Sequence, residues 1–175
     1  MSFLRNAWYA ACWSEDLKAG EPLARTILCD PVVLWRNGAG VPAALEDRCC
    51  HRHLPLSLGR VTGATIQCGY HGLEFDATGV CVKVPGQSRV PPGAAVRAWP
   101  VCERHNMIWV WPGEAAAADE TLIPNLWWLD NPGWTRAGGS IHMKADYRLL
   151  IDNLLDLTHV SYLHTQTIAG DPREA

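Results

Sequence analysis

Cys49-Cys50-His51-Arg52 and Cys68-Gly69-Tyr70-His71-Gly72 put one thiol and one imidazole on each of two short segments. The first pair is spaced C-x-H and the second C-x-x-H, so bringing the segments together delivers two sulfur and two nitrogen ligands to one place. That donor set serves either a tetrahedral structural zinc or a two-iron, two-sulfide cluster with both cysteines on one iron and both histidines on the other. A structural zinc site of this composition usually takes its cysteines from one knuckle and its histidines from another. Here each segment gives one of each, which favours the iron–sulfur cluster with Cys49, His51, Cys68 and His71 as ligands. Arg52 and Gly72, directly after the two histidines, suit tight polar loops clamped over a charged group.

Asp156-Leu157-Thr158-His159-Val160-Ser161-Tyr162-Leu163-His164 is a second constellation. Asp156 and His159 are i, i+3 and would share a helix face. His159 and His164 are i, i+5, about 140° apart on a regular helix, so both reach one metal only if the helix ends, kinks or bulges between them. Alone, the segment reads as a surface helix with two unrelated histidines. Beside the first motif it reads as part of a two-His, one-carboxylate set, the kind that holds non-haem Fe(II) for oxygen activation.

Short elements must position these groups. Residues 26–29, 32–36, 41–46, 64–68, 73–76, 80–84, 95–102 and 107–111 read as strands punctuated by Gly, Pro, Asp and Asn, with Asn37-Gly38 and Ala77-Thr78-Gly79 as turn signals. Strands this short and frequent predict a small antiparallel β-domain with the cluster at one tip, between two hairpin-like loops. Composition changes in the alanine-rich stretch 112–119, which predicts domains over 1–117 and 118–175. Residues 141–145 read as one more strand. Residues 147–157 change to helical period, with Leu150, Leu154 and Leu157 on one face. The fold class is therefore α+β. The nine tryptophans read as core and interface residues.

A net charge of −3 gives no reason to expect nucleic acid or an anionic membrane as partner. No stretch approaches the roughly 18 apolar residues of a membrane span, and Met1–Ala11 has no long apolar leader, so a cytoplasmic location is expected. Seven cysteines, an odd number, argue for reduced thiols and a metal site over a disulfide framework. Cys50, inside the first loop, could compete as a ligand or oxidise. Cys12, Cys29, Cys81 and Cys102 read as small buried hydrophobes.

With these segments laid out, the chain resembles the oxygenase (alpha) component of Rieske non-haem iron oxygenases, in particular the group of vanillate O-demethylase, dicamba demethylase and toluenesulfonate methyl-monooxygenase. The resemblance rests on Asn6-Ala7-Trp8-Tyr9 and residues 49–52, 68–76, 108–113 and 146–164. It implies a Rieske [2Fe–2S] domain followed by the start of a helix-grip-like catalytic domain. It implies cluster ligation by Cys49, His51, Cys68 and His71, and mononuclear Fe(II) held by His159 and His164. Asp156 is implied as the carboxylate linking a cluster histidine of a neighbouring subunit to His159 in a homotrimer, and Asn153 lies where relatives place a polar residue near the iron. A reductase of flavin or ferredoxin type, O2 and an aromatic substrate that is hydroxylated or O-demethylated are the implied partners.

Three departures qualify the match. Cys50 stands where relatives commonly carry Pro. Leu73 follows Gly72 where ring-dihydroxylating relatives carry Trp, which favours the demethylase branch. Relatives run to about twice this length, and their third iron ligand, an Asp, lies far downstream. Asp171 and Glu174 are the only carboxylates after His164, and neither matches that position. The 175 residues are thus expected to need a longer chain for complete activity. Two rival readings are a stand-alone Rieske electron carrier, including a truncated remnant without oxygenase activity, and a zinc-stabilised binding module. The first leaves Asp156, His159 and His164 without a purpose. The second predicts a colourless protein.

Overall fold

In the computed structural model, which describes residues 3–168, alternating and β-branched runs form short antiparallel ladders. The strands are β1 (Tyr9–Trp13), β2 (Leu23–Ile27), β3 (Asp30–Arg36), β4 (Pro42–Glu46), β5 (Arg60–Thr62), β6 (Thr65–Gln67), β7 (Glu74–Phe75), β8 (Cys81–Lys83), β9 (Val101–Arg104) and β10 (Met107–Val110). They make three sheets, ordered β1-β10-β9, β2-β3-β4 and β5-β6-β7-β8. The expected small antiparallel β-domain is what forms.

β3 is the spine. Val32, Val33, Leu34 and Trp35 are all buried, so both faces of this strand are covered and its apolar run is continuous rather than alternating. Val33 and Trp35 face an apolar cluster with Leu45, Leu56, Ile66, Phe75, Cys49 and Cys68. Val32 and Leu34 face a second cluster with Leu17, Trp99, Ile108 and Val110. The first of these cores lies directly under the two cysteine-bearing loops.

Turns set the strand limits more tightly than hydropathy does. Leu28 and Cys29, read as strand residues, instead turn the β2–β3 hairpin at φ 52° and 70°. His105 and Asn106 do the same between β9 and β10, at φ 55° and 57°. The pair of positive φ angles matches the right-handed strand twist. β1 and β5 were missed by sequence: β5 is three residues of mixed polarity, and β1 is a five-residue apolar run with no alternation to mark it as a strand. Residues 141–145, expected as a strand, form none: Ile141 is 89% exposed and no partner strand lies beside it among the described residues.

The chain divides into two compact units, Met1–Thr135 and Arg136–Ala175. Residues 118–135 pack on the first unit. The Trp8 indole donates to the Asp119 carbonyl, and the Asn106 amide donates to the Leu129 carbonyl. The second unit contains α1 (Tyr147–Leu155) and α2 (Val160–Leu163). Asp146 caps α1 by accepting the Arg148 N–H. No helix among the described residues is long and apolar enough to cross a membrane.

Candidate metal centre

The first loop leaves β4 at Glu46. Asp47, almost buried, accepts the Ser57 N–H at 2.7 Å and the Ser57 hydroxyl at 2.6 Å, which closes the base of the loop. Inside it, the Cys49 N–H donates to the Leu54 carbonyl at 2.9 Å, and the His53 N–H donates to the Cys49 carbonyl at 3.0 Å. His53 sits at φ 58°. The second loop, between β6 and β7, repeats this frame. The Cys68 N–H donates to the Leu73 carbonyl at 2.8 Å, and the Gly72 N–H donates to the Cys68 carbonyl at 3.1 Å, with Gly72 at φ 72°. Each loop therefore opens on a cysteine, takes a left-handed residue four positions later, and returns to the core with a leucine.

This frame sorts the four side chains by depth. Cys49 and Cys68 are 2% and 3% exposed and belong to the apolar core. His51 and His71 are exposed. Their rings lie 4.6 Å apart at a tilt of 57°. A metal about 2.1 Å from a ligating nitrogen sits roughly 3 Å from the ring centre, so two imidazoles meeting at one metal near a right angle stand about 4.5 Å apart. The observed spacing fits.

Burial pushes the Cys49 thiol up to about 11, the His51 backbone N–H pulls it down, and the adjoining Cys68 side chain raises it further. Displacing the Cys49 proton is therefore part of loading a metal at this thiol. The four candidate ligands pair thiol with thiol inside and imidazole with imidazole outside. Two two-ligand ends are what a two-iron cluster needs.

Tyr70 stacks on His71, centroids 3.9 Å apart and planes within 27°. A cleft of about 500 Å³ opens beside both histidines, walled by Leu73, Val84, Pro85 and Pro91. Cys50 is exposed at its edge. The sequence reading missed this Pro/Gly-rich wall, the Asp47–Ser57 clasp and the left-handed His53. One signal for the last was available: Cys49 to Leu54 and Cys68 to Leu73 have the same spacing.

In the second unit the helix breaks before His159 and not between the two histidines, where their spacing asks for a break. α1 stops at Leu155, and Asp156 leaves the helix at φ −86°, ψ 91°. The Asp156 carboxylate accepts the Thr158 N–H at 3.0 Å and the Thr158 hydroxyl at 2.5 Å, and these two bonds hold its pKa below the ordinary value. Asp156 and His159 therefore meet across a turn and not on the shared helix face expected from their spacing; the side-chain capture of Thr158 competes with the helix. His159 and His164 bracket the four-residue α2, with rings 5.3 Å apart. The His159 Nδ1 atom is buried without a hydrogen-bond partner and lies 3.9 Å from the Asp156 carboxylate, too far for a hydrogen bond. The Asn153 amide is 3.4 Å from the other ring nitrogen of His159. Asp171 and Glu174 lie outside the described residues.

Comparison with known proteins matches residues 7–100 to the Rieske [2Fe–2S] domain and residues 143–175 to the vanillate O-demethylase oxygenase C-terminal domain. The iron–sulfur subunit of the toluene-4-sulfonate monooxygenase system of Comamonas testosteroni is 43% identical over 169 residues, covering 97% of this chain and 49% of that protein. The oxygenase component of dicamba O-demethylase from Stenotrophomonas maltophilia is 47% identical over 178 residues, covering 99% and 52%. The crystal structure of dicamba monooxygenase bound to dicamba superposes with a TM-score of 0.89 at 46% identity, over 94% of this chain and 49% of that one. The chain spans about half the length of the curated relatives it matches.

Proposed function

From the premise that this chain belongs to the Rieske [2Fe–2S] domain family, we propose that it corresponds to the electron-receiving part, and the first portion of the catalytic part, of a Rieske-type monooxygenase acting on an aromatic substrate. The observation that carries the reading is the inside–outside sorting of Cys49 and Cys68 against His51 and His71. Cys49 and Cys68 would hold one iron of a [2Fe–2S] cluster, and His51 and His71 the other. The cluster supplies one-electron storage at a potential that histidine ligation raises to roughly −150 to +300 mV.

His159 and His164 would hold a mononuclear Fe(II), which supplies oxygen activation, with a third ligand from residues beyond those described. The short α2, which begins at His159 and ends at His164, supports this, because it leaves the two rings 5.3 Å apart. Asp156 would accept the outer ring N–H of a cluster histidine from a neighbouring subunit and of His159, fixing both rings. Asn153 keeps its amide beside His159. The division of labour proposed is residues 1–117 for electron receipt and 118–175 for the start of the catalytic part. A reductase as electron source, O2, a homotrimer and a cytoplasmic location complete the proposal. A substrate of the aryl-ether or aromatic-acid kind follows from the named relatives, a vanillate and a dicamba O-demethylase.

The stand-alone carrier is the second reading. Against it stand the match of residues 143–175 to an oxygenase domain and the paired His159 and His164. Iron and acid-labile sulfide analysis tests the cluster: two of each per chain is expected, and zinc without sulfide would overturn it. Oxygen consumption and formaldehyde release from aromatic methyl ethers, with reductase and the longer protein, test the oxygenase.

A further inference from the structure

Among the described residues the buried acidic side chains are Asp47 and Glu74, and one stands at the base of each cysteine-bearing loop. Asp47 precedes Cys49 by two residues, a span of at most about 7 Å of backbone. Both its oxygens accept from Ser57, and no cation among the described residues pairs with it. Glu74 follows Leu73, whose carbonyl closes the second loop on the Cys68 N–H at 2.8 Å. It lies opposite Gln67 in the β6–β7 register, directly outside that closing bond. Its carboxylate accepts from Gln67 at 2.9 Å, Thr65 at 3.3 Å and Lys83 at 2.8 Å. The Lys83 side chain is 61% exposed, so this ion pair has its negative end inside and its positive end in water.

Hydrogen bonding alone does not call for charge at either place. Asp47→Asn would still accept the Ser57 N–H and could donate to the Ser57 hydroxyl. Glu74→Gln would still accept from Lys83 and Gln67 and could donate to the Thr65 hydroxyl. Burying a charge costs more than burying an amide, so the charge itself asks for a use.

We propose that Asp47 and Glu74 hold down the reduction potential of the cluster carried by the two loops, and so fix how readily its electron moves on. The proposal rests on the Rieske reading above and adds what sets the driving force. Taking one electron from a reductase adds one negative charge to the two-iron group and makes or breaks no bond. Negative charge buried beneath both loops opposes that step and favours passing the electron onward. Arg48, Arg52 and Arg60 act the other way, but all three are exposed. A charge acts about four times more strongly at an effective dielectric of about 20 than in bulk water at about 80, so the two buried carboxylates dominate.

The test is the reduction midpoint of the purified, cluster-loaded protein, read at neutral pH by anaerobic equilibration with redox dyes. Asp47→Asn and Glu74→Gln should each favour the reduced form about tenfold, a rise of about 59 mV for one electron. The two rises should add in the double variant and persist at high salt, which screens surface charge. Lys83→Met should shift the midpoint less than about twofold, and downward. Iron and labile sulfide per chain should equal those of the parent. An unmoved or lowered midpoint in either variant that keeps its colour would overturn the proposal, and a Lys83→Met shift as large as theirs would do the same. Either variant decides alone if the other loses its cluster, and loss in both would make the two side chains structural and overturn it too. A colourless parent would overturn the Rieske reading itself.

Discussion

Cys49 and Cys68 stand at the same place in two copies of one loop. Each accepts from the residue four positions on and donates to the carbonyl five positions on. The left-handed site is His53 in the first loop and Gly72 in the second. The copies differ in where the imidazole falls, two residues after the cysteine in one and three in the other. That offset lets two similarly folded loops approach one centre without presenting the same face.

Unequal costs follow at the left-handed sites. Gly72→Ala should destabilise by about 1–2 kcal/mol, since any side chain is strained at this φ and the new Cβ would crowd Pro85. His53→Gly should change stability by less than about 1 kcal/mol, because relief of backbone strain offsets the entropy glycine adds to the unfolded chain. Urea midpoints of the two variants decide the order, and a larger loss in His53→Gly would contradict the shared frame.

Cys68→Ser should abolish the red-brown colour and the labile sulfide, because an alcohol is a poor replacement for a thiolate on iron. Cys50→Ser should keep both, as Cys50 is exposed at the edge of the histidine cleft and not in the core. Bleaching in Cys50→Ser would mean that the first loop presents the wrong sulfur.

Asp47→Ala removes both acceptors of Ser57 and leaves a partly buried N–H without a partner. It should cost about 2–3 kcal/mol and release iron faster to a chelator. Unchanged iron release would separate the clasp from the cluster.

Glu74, nearly buried beneath the second loop, is held below the usual carboxylate range first by the Lys83 ammonium and also by Gln67 and Thr65. Its native pKa is lower than its unfolded value of about 4.3, so its contribution to stability is complete above that value. The contribution declines as pH falls through the native pKa. Denaturant midpoints between pH 6 and pH 3 should therefore drop less steeply in Glu74→Gln than in the parent, and parallel curves would contradict this.

Asp156→Asn in the longer protein should leave the visible spectrum unchanged and stop turnover. Rapid reduction of the cluster followed by slow reoxidation with substrate and O2 is the expected signature. Loss of mononuclear iron in this variant would instead make Asp156 a ligand, and near-parental turnover would remove it from the electron path.

The meeting of Cys49 with Cys68 and of His51 with His71 was legible in the sequence, because residue type and spacing carry it whatever the intervening strands do. Three of the strands that carry the loops, β4, β6 and β7, were legible too, within a residue or two, and β5 was not. Strand limits fixed by Leu28 and Cys29 were not, because two apolar-looking residues at positive φ give no hydropathy signal. The break after Leu155 was not legible, because the spacing of His159 and His164 asks for one between them and not before them. Its cause, the Asp156 carboxylate seizing Thr158, is local polar competition that helical periodicity does not register.

Cys49 and Cys68 lie in the same interior as Trp35, Leu45 and Phe75, and a free cysteine packs there as a small hydrophobe. A cluster held by these two thiols would be anchored in the core of its domain, so that any substitution loosening Trp35, Leu45 or Phe75 would reach the metal without touching a ligand.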